Sequence, residues 1–431
     1  MTKLTSSGQA SPPATLDCPK CQNTITYYDV TGSSYYGCPN CHSFFKYEYE
    51  GPPEILTTFQ LKTVKPILAL GAEGYLNGQF VRVTGFMHKK EAGTSYDWTE
   101  YMLLQQDGST IQLSNYIGHW MIIRPIDRTY KQYHTKGNAY YVDTAERQYR
   151  LYNRYKATVL SAVGEFDWNI LDDEKLTISE YINPPYMLIA EEYGDVSDWY
   201  IAQHINQSDI QTAFGLNKYA LPDAYGIGAV EPADPDGKSK ALFSFTGIAI
   251  AAIILFQIHI AIVKPSKQLL NESYQTQADS AGNSKTIVTP SFDINGPTAL
   301  KFNLFSDLNN QWIEVPVTLI NEQSGRIYEF TKTLEYYYGV ESGESWSEGS
   351  RDEDVVLSRI PSGRYHLNIY PANEPGRMIT FRVKVEQNTM LTSNLVLMLM
   401  VLVIYPGVVF WRNQWYESRR WSNSDFADSE E

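Results

Sequence analysis

LLQQDGSTIQLSNYI, residues 103–117, reads as a β-hairpin: two alternating runs meet at Asp107-Gly108. An Asp-Gly pair between such runs is a strong short-range hairpin signal. The pattern returns 65 residues later, where WNILDDEKLTISEYI, residues 168–182, aligns to it without a gap. Ile111 meets Leu176, Leu113 meets Ile178, and Ser114, Tyr116, Ile117 and Asp107 meet their own kind at 179, 181, 182 and 172. Two related small β modules in tandem are therefore expected over residues 65–235. The first copy continues into Gly118, His119 and Trp120, where the second has Asn183 and Pro184. A position that needs histidine in only one copy points to a strand-end residue packed beside Trp120, with a ligand contact as the alternative.

Upstream, CPKC (Cys18, Cys21) and CPNC (Cys38, Cys41) form C-x2-C-x16-C-x2-C, within zinc-ribbon spacing. Each C-x2-C turn lets two thiolates reach one ion, and two such turns complete a tetrahedron. A redox pair is the alternative for a lone C-x2-C, but two pairs at this spacing predict a structural zinc ion as the cofactor. Four thiolates leave no open coordination position. The ribbon is assigned residues 16–50, after a disordered tail over 1–15 rich in Ser, Pro and Thr, and EGPPEILTT is read as a linker. His42 stands beside the last cysteine but four ligands suffice. The acidic flank Glu48, Glu50 and Glu54, with a net charge of -14, argues against nucleic acid as a partner.

Residues 241–263 carry no formal charge and are long enough to cross a bilayer as a helix. Lys238, Lys240, Lys264 and Lys267 bracket them, placed to snorkel. Residues 391–411 form a second candidate with Pro406 inside. Trp411, Arg412, Trp415, Arg419 and Arg420 follow as an aromatic and basic interface anchor. Flanking Lys/Arg counts do not orient the spans. The N-terminal run has no apolar core of a secretory signal, and a thiolate site survives best in a reducing compartment. The expected topology is a two-pass protein of the inner membrane, contacting lipid, with both termini, including a tail over 412–431, in the cytoplasm.

Between the spans, residues 280–388 alternate through about seven strands, which suggests an extracytoplasmic β-sandwich. ESGESWSEGSRDEDV, residues 341–355, reads as a solvated acidic loop or a calcium loop, with Trp346 either a partner contact or part of the core. The fold class is thus a mainly β, multidomain membrane protein: zinc ribbon, tandem small β modules, and two transmembrane helices flanking a β-sandwich.

The combination of YDWTEYMLL, GHW, GEFDW, EYINPPYML with Glu191 and Glu192, DWYIAQHI and PDAYGIGA resembles the bacterial domain of unknown function family 4178, over roughly residues 65–235. That resemblance implies an N-terminal zinc ribbon, following membrane helices, and a role at the bacterial inner membrane in membrane-stress or polyamine-linked processes. It carries over no catalytic residue. The sequence holds no P-loop, no GxGxxG opening a helix, no HExxH and no GxSxG. The expected function is non-enzymatic: a scaffold or sensor linking cytoplasmic modules, with a protein partner in cytoplasm or envelope, to an outer sandwich. The alternatives are an enzyme or substrate-processing factor with its site in the β modules, and a channel or transporter subunit.

Overall fold

The computed structural model describes residues 12–48, 51–60, 64–134, 140–277, 284–390 and 392–427. Most of the expected tail (1–11), Glu50, residue 391 and residues 428–431 lie outside them. The chain divides into two compact units, residues 1–238 with 408–431, and residues 239–407.

In the first unit, one continuous sheet takes in fifteen strands among the described residues. Its centre is the expected hairpin, Asp97–Gln105 against Thr110–Tyr116, which continues through His119–Ile126. Val196–Ile205, Tyr186–Tyr193, Thr177–Asn183 and Gln148–Tyr155 follow in that order on one side. On the other side lie Gln79–Glu91 and Ala157–Phe166. The two copies are therefore joined edge to edge in a single sheet.

Their partners also differ from the expectation. Only the second half of the repeat is shared: Thr110–Tyr116 and Thr177–Asn183 each form a hairpin with the strand that follows. Residues 168–176, aligned with a strand and turn, contain a 3-10 helix at Ile170–Lys175. Asn169 caps it by accepting from Leu171 N, and Trp168 Nε1 donates to Asp173 Oδ1 at 2.8 Å. Gln148–Tyr155 and Ala157–Phe166 are separated by Lys156 alone, yet seven strands stand between them in the sheet order. One residue cannot span a flat sheet of that width, so the sheet rolls until these strands meet. Trp98 and Tyr155, from strands six steps apart in that order, touch edge to face across the interior at 5.5 Å.

The ribbon is fused to this sheet. Its strand Tyr35–Gly37 pairs with Ala157–Phe166, and Gly37, Gly164 and Gly85 lie in one row across three strands. A Cβ on any of them would lie 2.3 to 2.7 Å from a carbonyl oxygen of a neighbouring strand, so the row admits only glycine. The strand Ala14–Asp17 begins inside the expected tail and pairs with Thr24–Tyr27. The expected linker contributes the strand Glu54–Thr58, whose β-branched Ile55, Thr57 and Thr58 suit pairing with Ser43–Lys46. DWYIAQHI belongs to the strand Val196–Ile205, and the short helix α1 (Gln207–Phe214) follows. Ile210 of α1 closes the outer core over Val81, Leu103, Leu113, Trp120 and Ile122.

The second unit holds the helix α2 (Lys238–Val263) except its first residue, and the start of α3 (Thr392–Trp421). Both are long and apolar enough to cross a membrane, and little of their apolar length is buried. The segment between them is a β-sandwich of a four-stranded and a seven-stranded sheet. Phe302 and Phe330, one from each sheet, lie 4.9 Å apart within a core of Leu300, Leu304, Val315, Val317, Leu367 and Val383. The expected strands are present. The sandwich starts earlier than residue 280, because Lys267–Gln275 pairs with Thr380–Gln387. The acidic stretch is not a loop: Glu344–Ser350 and Asp352–Ile360 are strands.

Candidate functional site

The four cysteines are brought together as expected. All four Sγ atoms lie within 4.8 Å of one another, with Cys18–Cys41 and Cys21–Cys38 each at 3.6 Å. Tetrahedral Zn–S bonds of about 2.3 Å place sulfurs about 3.8 Å apart, so the set fits a metal ion of that size. The two turns are equivalent. Gln22 N donates to Cys18 O and His42 N to Cys38 O, and both Gln22 and His42 take the left-handed conformation. His42 thus shapes a turn and is not one of the clustered ligand groups. Asn40 and the Asn23 backbone lower the Cys21 thiol to about 6, while burial pushes Cys38 up to about 12. Loading a metal would therefore displace a proton from Cys38.

The ribbon is held to the sheet by a second buried group. The Glu165 carboxylate, 2% exposed, accepts from Tyr28 N at 2.9 Å and Asp29 N at 3.1 Å. Burial raises it to about 7 even so.

Inside the rolled sheet lies a charge network without a sequence signature. Lys89 Nζ stands 3.0 Å from Glu100 and 2.9 Å from Asp173, and all three are buried. Trp98 Nε1 donates to Glu100 and Trp168 Nε1 to Asp173. Burial works against the Lys89 ammonium, but Glu100 and Asp173 outweigh it and raise its pKa. Burial lifts Glu191 and Glu180 to about 7, and Tyr155 OH donates to Glu180 at 2.8 Å. These residues are spread from 89 to 191, so only the roll assembles them. Adjacent Glu191 and Glu192 face opposite ways, as successive strand residues must: Glu191 interacts with Lys89, and Glu192 accepts from Gln132.

His119 and Arg420 complete the unit. His119 is not packed beside Trp120, because successive strand residues face opposite sides. Trp120 enters the outer core, while His119 Nε2 lies 3.0 Å from Tyr225 O and its Nδ1 3.3 Å from Glu231. Arg420, expected at a membrane interface, is fully buried instead. α3 does not stop near residue 411 but continues to Trp421, and its end belongs to the first unit. There the guanidinium donates to Gly228 O at 2.6 Å, Ala229 O at 2.8 Å and Glu231 O. It also grips the Glu417 carboxylate at 2.9 and 3.1 Å. Five contacts match its five N–H donors. Around it, Tyr152 OH donates to Arg420 O, Trp421 meets the Tyr152 ring, and Arg150 stacks on Trp421 at 4.2 Å.

Fold and site define a mainly β protein of several sheets, with a four-cysteine cluster able to hold a metal ion and two apolar helices of membrane-crossing length. Residues 69–207, about a third of the chain, match the family described as Domain of unknown function (DUF4178), inside the segment that carries the resemblance. No curated protein matches the sequence. Among solved structures, the chain is similar to the infectious bursal disease virus VP2 subviral particle protein, at 10% identity over 87% of this chain and 69% of that one, with a TM-score of 0.18. It is also similar to an exo-beta-1,3-galactanase from Phanerochaete chrysosporium, at 8% identity over 88% and 96%, with a TM-score of 0.16. At such TM-scores neither likeness bears on fold or function.

Proposed function

We propose that the chain is a non-enzymatic, two-pass inner-membrane protein that links a cytoplasmic partner-binding β module to an outer β-sandwich, in the envelope processes that the family resemblance implies. The supporting observation is the Arg420 clasp. Gly228, Ala229 and Glu231 lie just before α2, and Arg420 closes α3, so one guanidinium ties the entrance of the first apolar helix to the exit of the second. A chain that crosses twice brings these two points to the same face. A shift of α3 would then pull directly on the segment that His119 also holds. In this reading the four cysteines bind structural zinc and keep the ribbon docked.

Alkaline phosphatase, active only outside the cytoplasm, tests the topology when fused after residue 330 or after residue 427. Activity is expected at 330 and not at 427. Activity at 427, or silence at 330 in a stable fusion, overturns it. The enzyme reading has one observation in its favour, the pair Glu180 and Glu191 near neutrality beside tyrosines. Turnover of a substrate that Glu191→Gln abolishes in a folded protein would replace the scaffold reading.

A further inference from the structure

The hairpin formed by Ile327–Glu341 and Glu344–Ser350 carries features that the proposed function does not use. Glu344–Ser350 is the last strand of the seven-stranded sheet, and among the described residues nothing pairs with its outer side. All but its final residue are exposed. A free edge strand is a template for another extended chain. Beside it, Tyr336, Tyr338, Val340, Ser345, Trp346 and Ser347 line a groove of about 380 Å³. Trp346 is 44% exposed, and a Cβ on Gly339 would lie 3.0 Å from its indole. The ring therefore lies flat on the backbone with its other face free. Residues 333–350 contain four carboxylates, Glu335, Glu341, Glu344 and Glu348, and no lysine or arginine. Glu341 stands directly opposite Glu344, a like-charge pair that disfavours the hairpin until a cation joins it.

We infer that this edge binds an extended basic peptide segment of a partner by strand addition. Main-chain hydrogen bonds to 344–348 supply affinity, and alternate side chains supply selectivity. On one face the strand presents Glu344, Trp346 and Glu348 in turn. An added strand therefore fits best with lysine or arginine at three alternating positions: the outer two meet carboxylates and the middle one lies over the indole. The four carboxylates disfavour an anionic partner, and the flanking cations Lys332 and Arg351 are already engaged, by Glu353 and by Asp307 with the Tyr336 ring.

The inference goes beyond the proposed function and does not depend on which side of the membrane the sandwich occupies. It is tested on the purified full chain in nanodiscs, independently of the fusion assay. The probe is fluorescein-labelled Thr-Lys-Val-Lys-Val-Lys-Thr. Binding is expected to weaken at least tenfold when the valine amides are N-methylated, and likewise in Trp346→Ala. In Glu344→Lys/Glu348→Lys, preference should switch to the same peptide with glutamates for lysines. Absence of binding overturns the inference. Equal binding of the N-methylated peptide also overturns it, in favour of a small-cation site. So does a concentration-dependent dimer abolished by Ser347→Pro, which would make a second copy of the chain the occupant.

Discussion

Replacing Arg420 by methionine should release the end of α3 from the β module while leaving the rest of that module folded. The side chain is fully buried, and its five donors serve three backbone carbonyls and one carboxylate. Methionine keeps much of the apolar stem but leaves the carbonyls of Gly228, Ala229 and Glu231 without this donor in a closed site. Glu417 is partly exposed, so its ion pair adds little, but hydrogen bonds to charged groups contribute about 1.5–3 kcal/mol each, and losing those to the three carbonyls sums to at least about 3 kcal/mol. At about 1.4 kcal/mol per tenfold, opening of the 420–427 segment becomes roughly a hundredfold or more easier. Native-state hydrogen exchange of the full chain reads this directly, because Asn423 N bonds to Arg420 O and Ser424 N to Trp421 O. Arg420→Lys should fall between the two, since an ammonium has three donors and no fork. Protection within threefold of the wild type in Arg420→Met would refute the clasp. So would a loss no larger than that of Glu417→Gln, which removes only the carboxylate's charge.

Lys89→Met strands Glu100 and Asp173 in the interior and should cost about 3–5 kcal/mol, roughly 10 °C in melting temperature at about 2–4 °C per kcal/mol. Adding Glu100→Gln and Asp173→Asn should restore most of it, and a triple variant that melts as low as the single would refute the charge argument. Glu180 is raised to about 7 from its ordinary 4.5, so the native state holds a proton that the unfolded chain has already lost between those limits. Its contribution is therefore most favourable below about 4.5 and is lost as the pH rises through 7. Relative to wild type, Glu180→Gln should gain stability across that window in urea titrations, and a constant difference would contradict it. Purified chain should carry one zinc per molecule by elemental analysis, lost in Cys18→Ser/Cys21→Ser. Exchange should then rise along Tyr35–Gly37 and Ala157–Phe166, which are paired, and exchange confined to the ribbon would show the two to be uncoupled.

What the sequence made legible was local. The Asp-Gly hairpin, the cysteine turns, the apolar helices and the alternating strands of the sandwich each declare themselves within a dozen residues. Two further elements are also written locally. Ser342 and Gly343 both take positive φ between the paired Glu341 and Glu344, the two-residue turn that Ser-Gly between strands permits, so ESGE is a hairpin signal inside the acidic stretch. Asn169 followed by Asp172 and Asp173 is a capping pattern, and it sets a 3-10 helix where the repeat predicts a strand. The network around Lys89 and the clasp at Arg420 have no local signal. A lysine in FMHKK and an arginine after an apolar span are common on surfaces and at interfaces. What buries them is the return of chain from about 80 and 190 residues away.

The decisive nonlocal event is at Lys156. The repeat predicts that the strand before Thr177–Asn183 should pair with it, as Asp97–Gln105 pairs with Thr110–Tyr116. Gln148–Tyr155 takes that place instead, and Ala157–Phe166 goes to the other side of the central hairpin, between Gln79–Glu91 and the ribbon strand Tyr35–Gly37. The glycines show why it fits there: Gly164 opposite Gly85 and Gly37 lets three backbones approach where any side chain would strike a carbonyl. The 3-10 helix then occupies the stretch that the displaced strand no longer needs to turn. It delivers Asp173 to Lys89 on Gln79–Glu91, the strand against which Ala157–Phe166 now packs. One exchange thus rolls the sheet, docks the ribbon and closes the charge network. Each of these features is invisible in a repeat aligned by sequence alone, because the alignment preserves residue types and not the partners the strands choose.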